Sequence, residues 1–214
     1  MAARRYRQHC AVAKALDLVG DRWTLLIIRD LLDGPRRYVD LLAGLITIPT
    51  DTLAARLRSL EEHGLVERVR LPPPADRAVY QLTASGRGLE AVIDAYARWG
   101  RHLVTERDPA DAVRPEWLGL AVRSLLRADR TGVDLVLGLH TPDGAVALHV
   151  TDADVETLDG TTPADVTFSA TVEDLAAALD PARAEQLAAE GRLGVEGDPA
   201  RVRRVARLFV TPDA

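Results

Sequence analysis

The sequence predicts two domains of different class. A mainly α domain that ends in a β-hairpin comes first, and an α+β domain with an antiparallel sheet and helices on one face follows. Three observations carry this reading. As far as Leu60 the apolar residues recur at helical spacing between Gly and Pro breaks, and after Gly64 they switch to two short extended runs. From Val133 onward, stretches alternating with period two are interleaved with helical ones. The charge also divides: Met1 to Val104 hold 16 Lys+Arg against 12 Asp+Glu, and Thr105 to Ala214 hold 11 against 20. A mildly basic part joined to a strongly acidic one points to a polyanion met by the first part alone, despite a net charge of −5.

The first helix is expected over Cys10 to Val19, stopped by Gly20 as a C′ residue. Asp21 is placed to cap the second, in which Trp23, Leu26, Ile27 and Leu31 share a face before Gly34-Pro35 ends it. A short helix runs through Tyr38, Leu41 and Leu42. The next opens at Pro49-Thr50, with Thr50 as N-cap, and closes at Gly64. On it Leu53, Leu57 and Leu60 form one face; Asp51, Thr52, Ala55, Arg58 and Ser59 project opposite, and Arg56 lies on the flank.

"LVERVRL" and "RAVYQLT" read as two strands joined by Pro72-Pro73-Pro74-Ala75-Asp76. Consecutive prolines cannot sit inside a ladder, so an extended polyproline tip is expected. Three helices followed by a hairpin is the winged-helix order, in which the helix before the hairpin enters the major groove and the hairpin touches backbone. The competing reading is a solvated arginine face on an ordinary helical pair. Thr83 then caps a long helix with Leu89, Val92, Ile93, Tyr96, Trp99 and Leu103 in one stripe. That stripe is wide enough to pack against a symmetry mate as well as its own domain, which predicts a homodimer with recognition helices about 34 Å apart.

"HCAVAKALDLVGDRWTLLIIRDLLDGPRRYVDLLAGL", "IPTDTLAARLRSLEEHGLVER" and "VYQLTASGRGLEAVIDAYARWG" together closely resemble the HxlR-type winged-helix regulators, over roughly Cys10 to Leu103. The resemblance implies a dimer on a double-stranded DNA operator. It implies that Thr50, Asp51, Thr52, Ala55, Arg56 and Ser59 lie at or near base edges. Arg36, Arg37 and the wing residue Arg77 would bind phosphate. Pro49 departs from the serine that many members carry there. Family members place a cysteine at Cys10, and some use it to sense oxidants or electrophiles. With no second cysteine in the chain, a redox role for Cys10 would require a symmetric bridge or a direct adduct. The alternative is a small packed hydrophobe.

In the acidic part, "PEWLGLAVRSLLR" reads as a helix through Trp117, Leu118, Val122 and Leu125. "VDLVLGLHT" and "AVALHVT" put Leu135, Leu137 and Leu139, then Val146, Leu148 and Val150, on one sheet face, and "ADVTFSA" adds Val166 and Phe168. A helix broken at Pro181, a short strand "GRLGVEG" and a final helix after the Asp198-Pro199 cap complete the α+β order. "ADVTFSATVEDLAAALD" and "GRLGVEGDPARVRRVARLF" resemble sterol-carrier-protein-like domains, which enclose an apolar cavity between sheet and helices. The resemblance implies a sensor for a small hydrophobic effector, with Trp117, Leu137, Leu148, Phe168, Leu175 and Phe209 as lining candidates. Ordinary core is the competing explanation for an apolar sheet face.

No nucleophile elbow, phosphate-binding loop or H-E-x-x-H motif occurs. No enzymatic activity, cofactor or metal site is therefore expected. His140 and His149 fall on adjacent expected strands without a third ligand. Apolar runs such as Trp23 to Ile28 are too short to span a bilayer, acidic residues interrupt any signal-like core, and one cysteine fits a reducing cytoplasm. The expectation is a cytoplasmic, homodimeric transcriptional repressor. Residues 1–104 would bind DNA and dimerise, 105–115 would link, and 116–214 would bind ligand. The alternative is a lipid or amphiphile carrier whose winged helix makes protein contacts.

Overall fold

The computed structural model describes residues 5–104, 108, 110–112, 114–127 and 129–209. The chain forms two compact units, Met1–Ile93 and Asp94–Ala214. Of the expected linker, residues 105–107, 109 and 113 lie outside the described residues.

The first unit contains α1 (Ala11–Val19), α2 (Thr24–Leu32), α3 (Tyr38–Gly44), α4 (Thr50–Glu62), β1 (Val66–Arg70), β2 (Ala78–Leu82), α5 (Ala84–Arg87) and the start of α6 (Glu90–Gly100). Ile27, Ile28 and Leu31 of α2 and Leu53, Leu57 and Leu60 of α4 are core residues, each at most 2% exposed. Truncating one of these leucines to alanine would cost roughly 2–5 kcal/mol through lost transfer energy and the cavity left behind. Within α2 the buried face is shifted from the expected one: Ile28 and Leu32 are inside, while Leu26 is exposed. Gly64, at φ +66°, turns the chain from α4 into β1 in a conformation that side chains with a Cβ disfavour.

Several local expectations are corrected. Gly20 ends α1 in a right-handed conformation, φ −74°, so handedness does not demand glycine; a Cβ there would stand 2.5 Å from the Leu16 carbonyl oxygen. Asp21 is not an N-cap. Its Oδ1 accepts from the Trp23 N–H at 3.1 Å and its carbonyl from the Thr24 N–H at 3.0 Å, forming a turn before α2. Thr50 is the first helical residue of α4, because the extended Pro49 (φ −65°, ψ 142°) takes the cap position. The Pro72 to Asp76 tip is a turn rather than an extended rod, with the Ala75 and Asp76 N–H groups both directed at the Pro72 carbonyl. Thr83 caps only the short α5, its Oγ1 accepting from the Gly86 N–H at 3.1 Å, and the chain breaks at Gly88 before α6.

The second unit contains the rest of α6, a 3-10 turn at Arg101–Leu103, α7 (Trp117–Leu125), β3 (Asp134–Thr141), β4 (Gly144–Thr151), β5 (Val155–Asp159), β6 (Val166–Ser169), α8 (Val172–Ala177), α9 (Pro181–Ala189), β7 (Gly194–Gly197) and α10 (Pro199–Ala206). The five strands lie in the order β5-β4-β3-β6-β7. The expected α+β class holds, but the sheet is mixed: β6 runs parallel to β3, and the other pairings are antiparallel. Sequence reading also passed over β5, whose "VETLD" is short and weakly alternating.

The parallel pairing arises because the chain leaving β5 crosses the sheet before entering β6. Small residues allow that crossing. Gly138 and Ala147 are paired on adjacent strands, and a Cβ at Gly138 would approach Ala164 of the crossover at 3.0 Å. The Asp165 carboxylate and backbone N–H then tie the crossover to Val136 at 2.8 Å each. On the other face Leu135, Leu137, Leu139, Val146, Leu148 and Val150 form one core with Leu118 and Val122 of α7, Leu175 of α8 and Val205 of α10. The break expected at Pro181 is present, with Asp180 accepting from the Ala182 N–H; Asp198 likewise caps α10.

Candidate nucleic-acid interface

Burial of Leu53, Leu57 and Leu60 fixes which side of α4 meets solvent. Thr50, Asp51 and Arg58 are exposed there, and Thr52, Ala55, Arg56 and Ser59 are half-buried. The Tyr38 hydroxyl donates to the Thr50 carbonyl at 2.9 Å, which fastens the entry of α4 to α3. The six residues expected near base edges therefore occupy one helix, although Arg56 is turned toward its flank.

Arg56 Nη1 lies 3.6 Å from Asp21 Oδ2, with the side chains 34% and 37% exposed. Arg56 Nε is buried with no hydrogen-bond partner among the described residues. Sequence reading assigned Asp21 to a helix cap and so missed this contact. The pair is separated by 35 positions along the chain, and no local periodicity encodes it.

At the other end of the surface, Pro35, Arg37, Asp40, Leu71, Arg77 and Val79 line a cleft between the start of α3 and the hairpin. The fold thus brings Arg37 and Arg77 to one cleft. Their states differ. Arg77 is exposed on the wing, whereas Arg37 donates to Asp40 from Nε at 2.7 Å and from Nη2 at 2.6 Å. The guanidinium holds the Asp40 carboxyl below the usual carboxylate range, and the carboxylate in turn raises the Arg37 pKa. Arg36 contributes through its backbone, exchanging hydrogen bonds with Tyr80 at 3.0 and 2.8 Å as a third edge on the hairpin. Arg70 pairs with Asp76 across the tip at 2.7 Å, lowering that carboxyl's pKa, and Arg68 lies over the Tyr80 ring.

The stripe on α6 is mostly uncovered. Only Ile93 is buried; Val92, Tyr96 and Trp99 are exposed, Trp99 to 66%, and Leu103, expected on the same helix, is exposed in the 3-10 turn after it. Cys10 is exposed at the N-cap of α1, so it is not a packed hydrophobe. The Ala13 N–H and, to a lesser extent, the Val12 N–H of the open first turn lower its thiol pKa.

In the second unit Leu137, Leu148, Leu175 and Phe209 belong to the core, and Phe168 packs against it half-buried. Trp117 is half-buried at the start of α7. The histidines do not meet. His140 pairs with Ala145 and His149 with Val136, a separation of about 14 Å along the ladder at the usual strand rise. His149 instead contacts Asp134 at 2.8 Å.

Comparison with known proteins finds a different family in each part of the chain. Residues 18–108 match the family model for the HxlR-like helix-turn-helix, and residues 129–210 match that for the SCP-2 sterol transfer family. An uncharacterised HTH-type transcriptional regulator of Mycobacterium tuberculosis is 47% identical over 90 residues, covering 42% of this chain and 56% of that protein. The chain thus spans little more than half the length of that relative. The HTH-type transcriptional regulator YodB of Bacillus subtilis is 36% identical over 102 residues, covering 48% of this chain and 88% of that protein. The reduced form of YodB superimposes with a TM-score of 0.40 at 34% identity, covering 47% of this chain and all of that one (100%). The chain belongs to the HxlR-type helix-turn-helix regulators and carries a C-terminal SCP-2 sterol transfer domain.

Proposed function

We propose that this chain is a homodimeric repressor that occupies a double-stranded operator through α4 and releases it when its SCP-2 domain takes up a small hydrophobic effector. Residues 1–104 would provide DNA binding and dimerisation, and residues 116–214 the effector site. The observation that carries the DNA reading is the two-sided character of α4. Its leucines are buried at 2% exposure or less, while Thr50, Asp51 and Arg58 stand in solvent beside a hairpin carrying Arg77. A buried face on one side and polar groups beside a cationic wing are what a helix needs to enter a major groove.

The exposed stripe Val92, Tyr96, Trp99 and Leu103 supports a symmetric dimer, because large apolar side chains at helical spacing favour a covering partner. Family membership and the apolar helix-on-sheet core support the effector reading. Since Leu137, Leu148 and Leu175 are at most 3% exposed, a bound molecule has to part helix from sheet and draw on half-buried Phe168 and Trp117 at its rim.

The test is selection of duplexes from a randomised library by the full chain, followed by binding curves on an enriched duplex and a scrambled one. A regulator of this kind enriches a pseudo-palindromic sequence. No enrichment over beads alone would remove the DNA reading and leave the amphiphile carrier in its place.

A further inference from the structure

We infer that Asp21 is a positioning residue for sequence readout, acting through Arg56; the inference rests on the DNA reading of α4. Both partners are held from behind. Asp21 is fixed in its turn by the Trp23 N–H on Oδ1 and the Thr24 N–H on its carbonyl, which leaves Oδ2 directed at Arg56. Arg56 leaves α4 one residue before Leu57, which is 1% exposed, so its backbone is anchored by the core.

The distance determines what the pair does. At 3.6 Å the contact is longer than a hydrogen bond, so Asp21 attracts the guanidinium without consuming its donors. Nε is buried without a partner among the described residues, so it is closed to a base edge; the donors left for DNA are the two terminal nitrogens of a side chain that is 34% exposed. A guanidinium held in place with donors unspent is the state required for a two-point contact to a guanine edge. A free arginine would have to be ordered at the moment of binding, and a tightly paired one would have to break its pair first.

The carboxylate also acts on discrimination. A negative charge beside the reading arginine opposes phosphate wherever the base contact is not made, so Asp21 weakens binding to the wrong duplex while ordering Arg56 for the right one. Loss of a helix contact, by contrast, would weaken both duplexes together.

Asp21→Asn tests this in the full chain, because asparagine can still accept the Trp23 N–H and keep the turn. The probes are a duplex enriched by the wild-type chain and its scrambled counterpart, at fixed salt. The expected result is a fall of about 5- to 20-fold in the ratio of the two affinities, with scrambled binding unchanged or tighter. Asp21→Glu should restore part of the ratio. In an Arg56→Ala background the same Asp21→Asn change should leave the ratio where it was. An unchanged ratio in the single variant, or an equal fall with and without Arg56, would overturn the inference. Equal weakening of both duplexes would also overturn it, by making Asp21 a folding residue. A wild-type chain that enriches no duplex removes the DNA reading itself, and this inference falls with it.

Discussion

Arg37 and Asp40 form a two-point ion pair across the first turn of α3, at 2.7 and 2.6 Å, with the side chains 46% and 35% exposed. A phosphate approaching this cleft meets a cation already shared with a carboxylate, whereas Arg77 lies on the same cleft in solvent. Asp40→Asn should free that charge. The slope of log affinity against log salt should steepen by about 0.9, as one more counterion is released, and scrambled duplex should bind tighter. Titrations at four salt concentrations measure this. An unchanged slope would place Arg37 outside the footprint.

Arg56→Ala and Arg77→Ala should separate readout from positioning. The first should cost about 1–3 kcal/mol against the enriched duplex and little against scrambled DNA. The second should weaken both duplexes alike and flatten the salt slope by about 1. Paired binding curves decide it, and an Arg56 variant with full specificity would shift readout to Thr52, Ala55 and Ser59.

Trp99→Asp addresses assembly. Trp99 is 66% exposed, so the substitution should leave the fold of its own chain intact. In a dimer built on the α6 stripe it would bury an unpaired charge and dissociate the copies. Sedimentation should show monomer, with operator affinity falling steeply as half-sites act alone. A stable dimer of this variant would assign the interface to another surface.

For the effector, Phe168→Trp should blunt release from the operator while sparing DNA affinity, tested with a panel of sterols, fatty acids and aromatic acids. Leu148→Trp serves as the contrasting case. Leu148 is 0% exposed, and its Cδ2 lies 3.4 Å from where a Cβ on Gly119 of α7 would stand. The larger ring should overpack this contact and lower the thermal midpoint, at a cost of about 1–3 kcal/mol. If Phe168→Trp left the response intact, the binding site would lie away from β6.

Asp94 gives a pH signature. Burial raises its carboxyl pKa, and the opposing pull of Arg123 and Arg98 does not cancel that effect. A folded pKa above the unfolded one means that the folded state binds the proton more tightly. The ionised carboxylate therefore costs stability at neutral pH, and that cost is relieved as pH falls through the folded value toward the unfolded one. Asp94→Asn should raise the thermal midpoint relative to the parent chain more at pH 7 than at pH 4.5. A difference of the opposite sign would mean that attraction to Arg123, whose Nε lies 3.9 Å away, outweighs desolvation.

By itself the sequence determined what local chemistry controls. Helical spacing in α2 and α4, alternation in β3 and β4, and the Asp198-Pro199 cap each act within a few residues, so they could be read without the fold. The polar face of α4 was legible for the same reason: burial of Leu53, Leu57 and Leu60 dictates the opposite side. Tertiary structure alone decided what distant residues do to one another. The parallel placement of β6 depends on a crossover that fits over Gly138, and the separation of His140 from His149 depends on ladder register. The partners of the cations divide along the same line. Arg37 finds Asp40 within one helical turn, a spacing a sequence can suggest, but Arg56 finds Asp21 only because the leucine core brings α4 against the turn before α2. Covalent neighbours set helices, turns and caps; packing sets which charges meet, because an ion pair between distant residues forms only after the apolar core has fixed their positions.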